Sequence, residues 1–436
     1  MEFYSTKNKE LSFFFKEAVL SGLAPDGGLF MPRQIPQFDS LFLRQLPQFS
    51  FHDIACEVSK LWFGDVLTEQ QIKTLVQDAF NFPVPLILQE KGVAFLELFH
   101  GPTLAFKDFG ARFMARLMSL LTQNNTQKLH ILVATSGDTG GAVADGFANV
   151  PGIVVTILYP KGKVSPFQEY QIANKAENIR AVSVEGSFDD CQDLVKKAFV
   201  DPEIRENLFI TSANSINIAR LLPQSFYYIY TYAQLMGQGI RDVSFAIPSG
   251  NFGNLGAGLL AKKMGLPIHS LVAGTNINDT IPRFLNTQAW KVNPTQSTLS
   301  NAMDVSNPSN WERIWSLFEE DLAELKNTVY AYSFTDEQTL EAMEEMRLEQ
   351  NYIMCPHTSV AYLAAQKFRQ NQPGPYAQIV VSTAHPGKFK DSIPDSYSDL
   401  KKRMSLPSHY EGWENSEIKF VSIPNSYDDL KSFMLK

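Results

Sequence analysis

One lysine of this chain lies where its amine could become a nucleophile. Lys107 follows the run Phe99–Phe106, which contains a glycine, a proline and aromatic side chains, and it precedes an apolar stretch at Gly110–Leu121. A lysine in such a setting is expected to be desolvated, and desolvation lowers the pKa of an ammonium group. The neutral amine attacks carbonyl groups, which is the chemistry of lysines that form Schiff bases.

A second segment has the composition of a phosphate-binding turn. The predicted strand Val243–Ile247 leads into a turn that precedes a helical pattern and consists of Gly250, Asn251, Phe252, Gly253 and Asn254. Backbone N–H groups and the helix dipole at such a turn favour a phosphate group. The chain lacks the glycine-lysine spacing of an ATP-type P-loop and the glycine pattern of a dinucleotide fold. An aldehyde-capturing lysine together with a phosphate turn indicates pyridoxal 5′-phosphate (PLP) as the cofactor.

Several segments, in this order along the chain, resemble those of the threonine synthase family: Phe99–Gly110, Ala134–Gly141, Pro248–Gly256 and Ser382–Gly387. The resemblance extends from about Pro25 to about Phe389. It implies an α/β fold with the doubly wound, mostly parallel sheets of tryptophan-synthase β-like PLP enzymes, together with a helical N-terminal module. It also implies a PLP-dependent lyase that converts O-phospho-L-homoserine and water to L-threonine and phosphate, the last step of threonine biosynthesis.

The resemblance assigns cofactor roles to particular residues. Lys107 is expected to carry PLP and to move protons at the substrate, and residues 250–254 are expected to hold the cofactor phosphate. Thr383 matches the hydroxyl residue that meets the pyridine nitrogen, which makes the ring a weaker electron sink. Asp138 lies where related, shorter synthases have an asparagine beside the phenolic oxygen. A carboxylate there is expected to be protonated or to share the proton of the phenol or of the Schiff base.

The resemblance also assigns substrate roles. Ser136 and Thr139 are expected to bind the α-carboxylate, because their loop follows a strand and opens a helix. Asn214, Ser215 and Arg220 are expected to bind the substrate phosphate through charge-assisted hydrogen bonds.

For each of these segments a structural alternative stays open. Asp138 or Thr139 could simply cap a helix, and Thr383 could be an ordinary residue at the end of a strand. The polar residues of the Asn214–Arg220 segment could be helix caps next to a surface arginine.

Other functions are also open. A phospho-lyase with the same fold and substrate would omit hydration and give 2-oxobutyrate, ammonia and phosphate. A threonine or serine dehydratase is less favoured, because Asn214–Arg220 would then have no phosphate to bind. A PLP-binding protein without turnover is disfavoured by the intact set of Lys107, Ser136 and Arg220.

The histidines near these motifs are interpreted as structural hydrogen-bonding residues. His100, His357 and His385 lie in or near motif segments, but Cys355 and His357 form a lone pair of potential ligands with no second pair. A zinc site needs three or four ligands, so no metal is expected.

Composition excludes several classes of protein. The 436 residues exceed one hydrophobic core, and the net charge of −8 argues against a nucleic-acid surface. Three scattered cysteines are typical of a reducing compartment. No signal peptide and no membrane span is recognised, so we expect a cytoplasmic protein that acts on a small molecule and has no obligate protein partner.

Strand and helix patterns alternate from Val93 onward, which predicts a mostly parallel sheet covered on both faces. The predicted strands are Val93–Leu98, His130–Ala134, Ile153–Tyr159, Ala181–Val184, Phe209–Thr211, Val243–Ile247, His269–Ala273 and Gln378–Val381. The predicted helices are Ala111–Leu121, Ala142–Phe147, Pro166–Lys175, Phe188–Phe199, Asn217–Leu235, Leu255–Met264 and Ser359–Arg369, with a break at Pro223.

The pattern also predicts a division of the chain. Residues 1–92 are expected to form the N-terminal module, with helices at about Phe51–Phe63 and Thr68–Phe80. Residues 93–400 are expected to form the catalytic region, with two α/β subdomains and an insertion at about 276–350. Residues 401–436 are expected to form a C-terminal tail.

Overall fold

The computed structural model describes residues 1–88, 93–173 and 176–436. The strands of these residues are β1 Glu2–Ser5, β2 Phe13–Phe14, β3 Phe30–Pro32, β4 Leu86–Leu88, β5 Val93–Glu97, β6 Leu129–Ala134, β7 Ile153–Pro160, β8 Ile179–Glu185, β9 Phe209–Thr211, β10 Val243–Pro248, β11 Ile268–Thr275, β12 Val329–Ser333, β13 Ala377–Ser382 and β14 Val421–Pro424. The helices are α1 Phe15–Ser21, α2 Ser40–Gln45, α3 Phe51–Phe63, α4 Glu69–Ala79, α5 Lys107–Thr122, α6 Asp138–Phe147, α7 Pro166–Ile172, α8 Phe188–Val200, α9 Pro202–Asn207, α10 Ile218–Leu221, α11 Gln224–Gly237, α12 Gly253–Lys263, α13 Thr280–Thr287, α14 Trp311–Leu317, α15 Leu322–Thr328, α16 Asp336–Gln350, α17 Pro356–Asn371, α18 Ser398–Arg403 and α19 Tyr427–Met434.

The larger sheet contains the strands on both sides of the predicted phosphate turn. Its six strands have the order β12-β11-β10-β13-β5-β4. All neighbouring pairs are parallel except β4 and β5. Its central strands β10 and β11 are buried along almost their whole length, because both faces of a parallel sheet are covered.

The second sheet carries the loop that contains Asp138. Its five strands have the order β14-β8-β7-β6-β9, and every pair is parallel. The strand β14 comes from the C-terminal stretch of the chain and pairs with β8, and α19 packs on α8. Two parallel, helix-covered sheets confirm the predicted fold class.

The N-terminal module contains the predicted helices and also a small sheet. A capping box of Ser50 and Asp53 begins α3, and Thr68 with Gln71 begins α4, so both helices start where the pattern placed them. The three-stranded antiparallel sheet of β1, β2 and β3 was not predicted from the sequence.

The predicted strands and helices of the catalytic region are present with boundaries shifted by a few residues. Pro223 separates α10 from α11, as predicted. The strands β12 and β14 were not predicted, and the predicted end of one helix at Lys175 lies outside the described residues. The division of the chain at about residues 92 and 400 stays a prediction. Within the described residues, no helix combines the length and the apolar character needed to cross a membrane.

Candidate active site

Lys107 is the first residue of α5 and lies at the carboxyl ends of the strands of the larger sheet. The loop before it docks on the segment that follows β13. The backbone N–H of Phe106 donates to the Thr383 carbonyl at 2.8 Å, and the N–H of His385 donates to the Leu104 carbonyl at 3.0 Å. These bonds place Lys107 beside Thr383, as the resemblance implies.

Asp108 fixes the turn that carries Lys107. Its buried carboxylate accepts hydrogen bonds from the Thr103 N–H at 2.9 Å and from the Thr103 hydroxyl at 2.5 Å. Gly101 lies against this carboxylate, where an added Cβ would be 2.4 Å from Oδ2. Burial raises the pKa of Asp108 to about 6, although the Thr103 hydrogen bonds oppose this shift. The sequence analysis did not single out Asp108.

The environment of Lys107 favours its neutral amine. Burial lowers the pKa of Lys107 to about 8, and the nearby charges of Arg220 and Lys388 act in the same direction, whereas Asp138 opposes them. A lysine of this kind is partly uncharged near neutral pH and can attack an aldehyde. This property agrees with the prediction from its sequence context.

Asp138 forms a buried ion pair that was not predicted from the sequence. Its Oδ1 lies 2.7 Å from the Lys388 Nζ, and both side chains are almost fully buried. Burial alone would raise the pKa of Asp138, but the charges of Lys388 and Lys107 and the hydrogen bond from Lys388 hold it well below its usual range. In the structure a buried lysine balances the charge of this carboxylate. The protonation of Asp138 beside the bound cofactor stays a prediction.

The loop that opens α6 is capped by Thr135. The Thr135 hydroxyl accepts from the N–H groups of Gly137 at 3.0 Å and Gly140 at 2.8 Å. The alternative in which Asp138 or Thr139 is the plain cap is thus not what the structure contains. Ser136 is exposed and Thr139 is half-buried, so both remain available to a ligand.

Among the residues of the predicted phosphate turn, Asn254 gives the clearest evidence for a phosphate ligand. The hydroxyls of Tyr227 and Tyr228 donate to its Oδ1 at 2.6 and 2.7 Å. Its Nδ2 is buried and has no hydrogen-bond partner among the described residues. A buried donor without a partner is costly, and a bound phosphate would satisfy it. This orphan donor, at the N-terminus of α12, fits the phosphate of PLP.

The insertion at 276–350 packs on the other residues of the turn. Phe252 has a left-handed backbone with φ of 60° and lies edge-on to the Trp311 ring at 5.6 Å. The Asn251 Oδ1 accepts from the Ser309 hydroxyl at 2.9 Å. An added Cβ on Gly250 would lie 2.8 Å from the Met303 Cα, so the close packing requires glycine. The insertion therefore fixes the shape of the turn.

Arg220 is buried and is not the surface arginine of the structural alternative. Only 2% of it is exposed, its Nη1 donates to the Ala213 carbonyl at 2.8 Å, and its Nε is buried with no partner. Burial lowers the pKa of Arg220 to about 10, which leaves it charged at neutral pH. Within the described residues no carboxylate pairs with it. Asn214 and Ser215 lie half-buried before α10, on the same loop as Ala213.

Comparison with known proteins agrees with this geometry. Three family models match the chain: "Threonine synthase N terminus" at residues 2–80, "Pyridoxal-phosphate dependent enzyme" at residues 83–384 and "Threonine synthase, C-terminal" at residues 358–434. The threonine synthase of Escherichia coli is 43% identical over all of this chain and 99% of that protein.

The chain belongs to the threonine synthase family.

Solved structures of threonine synthases have the same fold. The crystal structure of the Escherichia coli enzyme superposes with a TM-score of 0.91 at 40% identity and covers 100% of this chain and 99% of that one. The PLP-bound threonine synthase of Brucella melitensis gives a TM-score of 0.91 at 32% identity, with 100% and 99% coverage. The chain is therefore a PLP-dependent enzyme of threonine biosynthesis, and the predicted cofactor and enzyme class are confirmed.

Two buried cations of this threonine synthase fold were not predicted from the sequence. Lys388 lies one residue beyond the Ser382–Gly387 motif, and the only available signal was its place beside that motif. Arg313 is fully buried, and its Nη groups donate to Asn310 Oδ1 at 2.6 Å and to the Ile216 carbonyl at 2.8 Å. Since Asn310 in turn donates to Ser215 at 3.2 Å, Arg313 joins the insertion to the loop before α10.

The histidines have the structural contacts that were predicted. His100 Nε2 lies 2.7 Å from a Glu97 oxygen, and His385 Nδ1 accepts from the Gly387 N–H at 3.1 Å. His357 accepts from the Ala302 N–H at 3.2 Å, and burial lowers its pKa to about 4. Within the described ranges, no group of three or more potential ligands could hold a metal ion.

Proposed function

We propose that the substrate of this enzyme is O-phospho-L-homoserine, and that Arg220 binds its phosphate group. The observation that carries the proposal is a charged guanidinium group that is buried near Lys107, lacks a carboxylate partner among the described residues and keeps an unbonded Nε. A buried cation without a counterion is costly to the folded protein. An anionic ligand that binds during turnover would offset this cost.

The half-buried residues around Arg220 support a phosphate ligand. Asn214 and Ser215 lie on the loop directly before α10, and Ser215 accepts a hydrogen bond from Asn310 at 3.2 Å. The Ser215 hydroxyl can thus accept from Asn310 while donating its proton to a ligand oxygen. We assign the substrate α-carboxylate to Ser136 and Thr139 at the N-terminal end of α6.

The cofactor is assigned to a different set of residues from the substrate phosphate. We assign its aldehyde to Lys107, its phosphate to residues 250–254 and its ring nitrogen to Thr383. Bound PLP withdraws electrons from the carbon atoms of an amino-acid substrate. The amine of Lys107 would move protons at these carbons, and its lowered pKa suits this role at neutral pH.

Arg220→Ala tests the assignment. We expect the variant to keep PLP attached and to retain the visible spectrum of the bound cofactor, because Arg220 does not hold the cofactor phosphate. The kcat/KM for O-phospho-L-homoserine should fall. The decrease should correspond to a loss of about 2–5 kcal/mol of transition-state stabilisation, which is the range for unpairing a buried charge. Inorganic phosphate should also lose its ability to inhibit the variant.

The matched control is Arg205→Ala, which removes an exposed arginine from the nearby helix α9. It should leave both kcat/KM and phosphate inhibition unchanged. Loss of PLP from Arg220→Ala, with kcat/KM restored to nearly the wild-type value by an excess of added PLP, would assign this guanidinium to the cofactor and contradict the proposal. Amino-acid analysis after complete turnover should find threonine and phosphate in equal amounts, not 2-oxobutyrate and ammonia.

We also place this activity in the cytoplasm and expect it to need no partner protein. Cys56, Cys191 and Cys355 are free thiols, and burial raises the pKa of Cys191 to about 12, so this thiol stays protonated and unreactive. Free thiols are typical of a reducing compartment. Fractionation of cells that express the protein, followed by an activity assay of the purified chain, tests both parts.

A further inference from the structure

Lys388 has an unusual position for a lysine, because its side chain is entirely buried. Its Nζ lies 2.7 Å from Asp138 Oδ1 and donates to the Thr103 carbonyl at 2.8 Å. The Gln168 side chain also donates to Asp138 Oδ1, at 3.2 Å. A charged amine is rarely buried unless it is paired, and here both of its partners belong to the loops around Lys107.

The charged and titratable groups that face Lys107 come from several separate elements. Asp138 belongs to α6, Arg220 to α10, His357 to α17 and Lys388 to the short helix Pro386–Ser392. The carboxylate of Asp138 favours the charged form of Lys107, whereas Arg220 and Lys388 favour the neutral form. His357 is neutral at physiological pH because burial lowers its pKa to about 4.

We propose that Lys388 is a positioning residue that holds the Asp138 carboxylate by an ion pair and thereby lets the nitrogen of Lys107 lose its proton near neutral pH. The proposal rests on the assignment of Lys107 as the residue that carries PLP. Lys388 itself need not contact substrate or cofactor.

Removal of Lys388 should transfer its ion pair to Lys107. The buried Asp138 carboxylate would lose the cation that is bonded to it, and Lys107 is the other lysine whose charge acts on Asp138. An opposite charge within about 4–6 Å raises the pKa of a cationic group by roughly 1–3 units. The same sign holds for the free amine and for the nitrogen that is bonded to the cofactor, because each is a cation when protonated.

The test is a pH titration of the visible absorbance of the PLP-loaded enzyme, which reports the proton on the cofactor-linked nitrogen. In Lys388→Met the midpoint should move to higher pH by on the order of one unit. In Asp138→Asn it should move to lower pH, because Lys388 and Arg220 then act without opposition. The double variant, which lacks both charges of the pair, should return close to the wild-type midpoint.

Lys390→Met is the matched control, because Lys390 lies on the same short helix and is exposed. Its midpoint should equal that of the wild type. A Lys388→Met midpoint that is unchanged or lower would overturn the proposal. If Lys388→Met does not retain PLP, an unchanged midpoint in Asp138→Asn would overturn it, and loss of PLP from all three pair variants would reduce the pair to a structural support.

These outcomes are separate from a failure of the Lys107 assignment. That assignment fails if Lys107→Ala still forms the borohydride-stable link to PLP. In that case the titration would concern another nitrogen, which peptide mapping would identify.

Discussion

Buried charges are treated differently in two regions of the molecule. Asp138 is ion-paired with Lys388, whereas Arg220 and Arg313 form no ion pair with a carboxylate among the described residues. The first arrangement is complete by itself, since its charges balance. In the second arrangement, protein carbonyls and amides satisfy the guanidinium groups only in part, and the carboxylates of Asp108 and Glu312 act on Arg220 and Arg313 without forming an ion pair with them. The difference separates a region that sets the state of the lysine from a region prepared for anionic ligands.

Arg220 and Arg313 also differ from each other in their hydrogen bonds. The Nη groups of Arg313 donate hydrogen bonds to Asn310, Ile216 and Phe30, and these bonds join separate segments of the chain. Among the described residues, Arg220 makes one side-chain hydrogen bond, to the Ala213 carbonyl, and the Nε of each arginine has no partner. We therefore expect Arg313 to contribute mainly to stability and Arg220 mainly to ligand binding.

The largest effect is expected at the junction of the two regions. Lys107→Ala should abolish turnover and the covalent attachment of PLP, because no other amine lies in the same position. Borohydride treatment followed by peptide mapping should label the Lys107 peptide in the wild type and no peptide in the variant. A label on a different lysine would contradict the assignment.

Asn254→Asp should break the contrast by adding a carboxylate to the ligand-binding region. The tyrosine hydroxyls can still donate to the new side chain, so the fold should persist. The variant loses the free Nδ2 donor and repels the cofactor phosphate, and PLP affinity should fall about 100-fold, which corresponds to ~2.7 kcal/mol. A titration of the apoenzyme with PLP measures this change, and Asn125→Asp, at an exposed position, should leave affinity unchanged.

Arg313→Met sharpens the contrast between the two arginines. The methionine leaves the Ile216 and Phe30 carbonyls and the Asn310 side chain without their donor, and each unsatisfied buried group costs about 1–3 kcal/mol. Because removing an unpaired buried charge offsets part of this cost, we expect a net loss of about 2 kcal/mol in urea unfolding. Arg220→Ala should change the unfolding midpoint much less. The reverse order of the two effects would show that the assigned roles are exchanged.

The smallest effect is expected for Tyr228→Phe. This variant removes one of the two hydroxyls that orient the Asn254 amide, and the Tyr227 hydroxyl still donates to Oδ1. The loss of one neutral hydrogen bond costs about 1 kcal/mol, so PLP affinity should fall roughly fivefold. Affinity equal to that of Asn254→Asp would mean that the amide cannot keep its orientation with one tyrosine.

The parts of the fold that could be predicted are those in which the pattern is local. The apolar runs of β10 and β13 and the break at Pro223 follow from residue type and spacing within a few positions. The strand β12 was missed although its Val-Tyr-Ala-Tyr-Ser sequence is rich in strand-forming residues, because it lies between acidic helices. The strand β14 is exposed along most of its length and lacks the apolar signal of a buried strand.

The site was predictable where a motif surrounds its residue and was not where two distant residues combine. Lys107 and the turn at 250–254 are recognisable from their neighbours. The ion pair of Asp138 with Lys388 joins residues that are 250 positions apart in the chain. No local pattern encodes such a contact, so Lys388 could not be predicted as the partner of Asp138.

The pairing of β14 with β8 has a consequence for the synthesis of the chain. More than 200 residues separate the two strands, so β8 must wait at the edge of its sheet until almost the entire protein has been made. During that time its free N–H and C=O groups can pair with a strand of another molecule. A chain that stops before Val421 keeps this open edge permanently, and we expect it to aggregate even though Lys107 and the residues around it are all present.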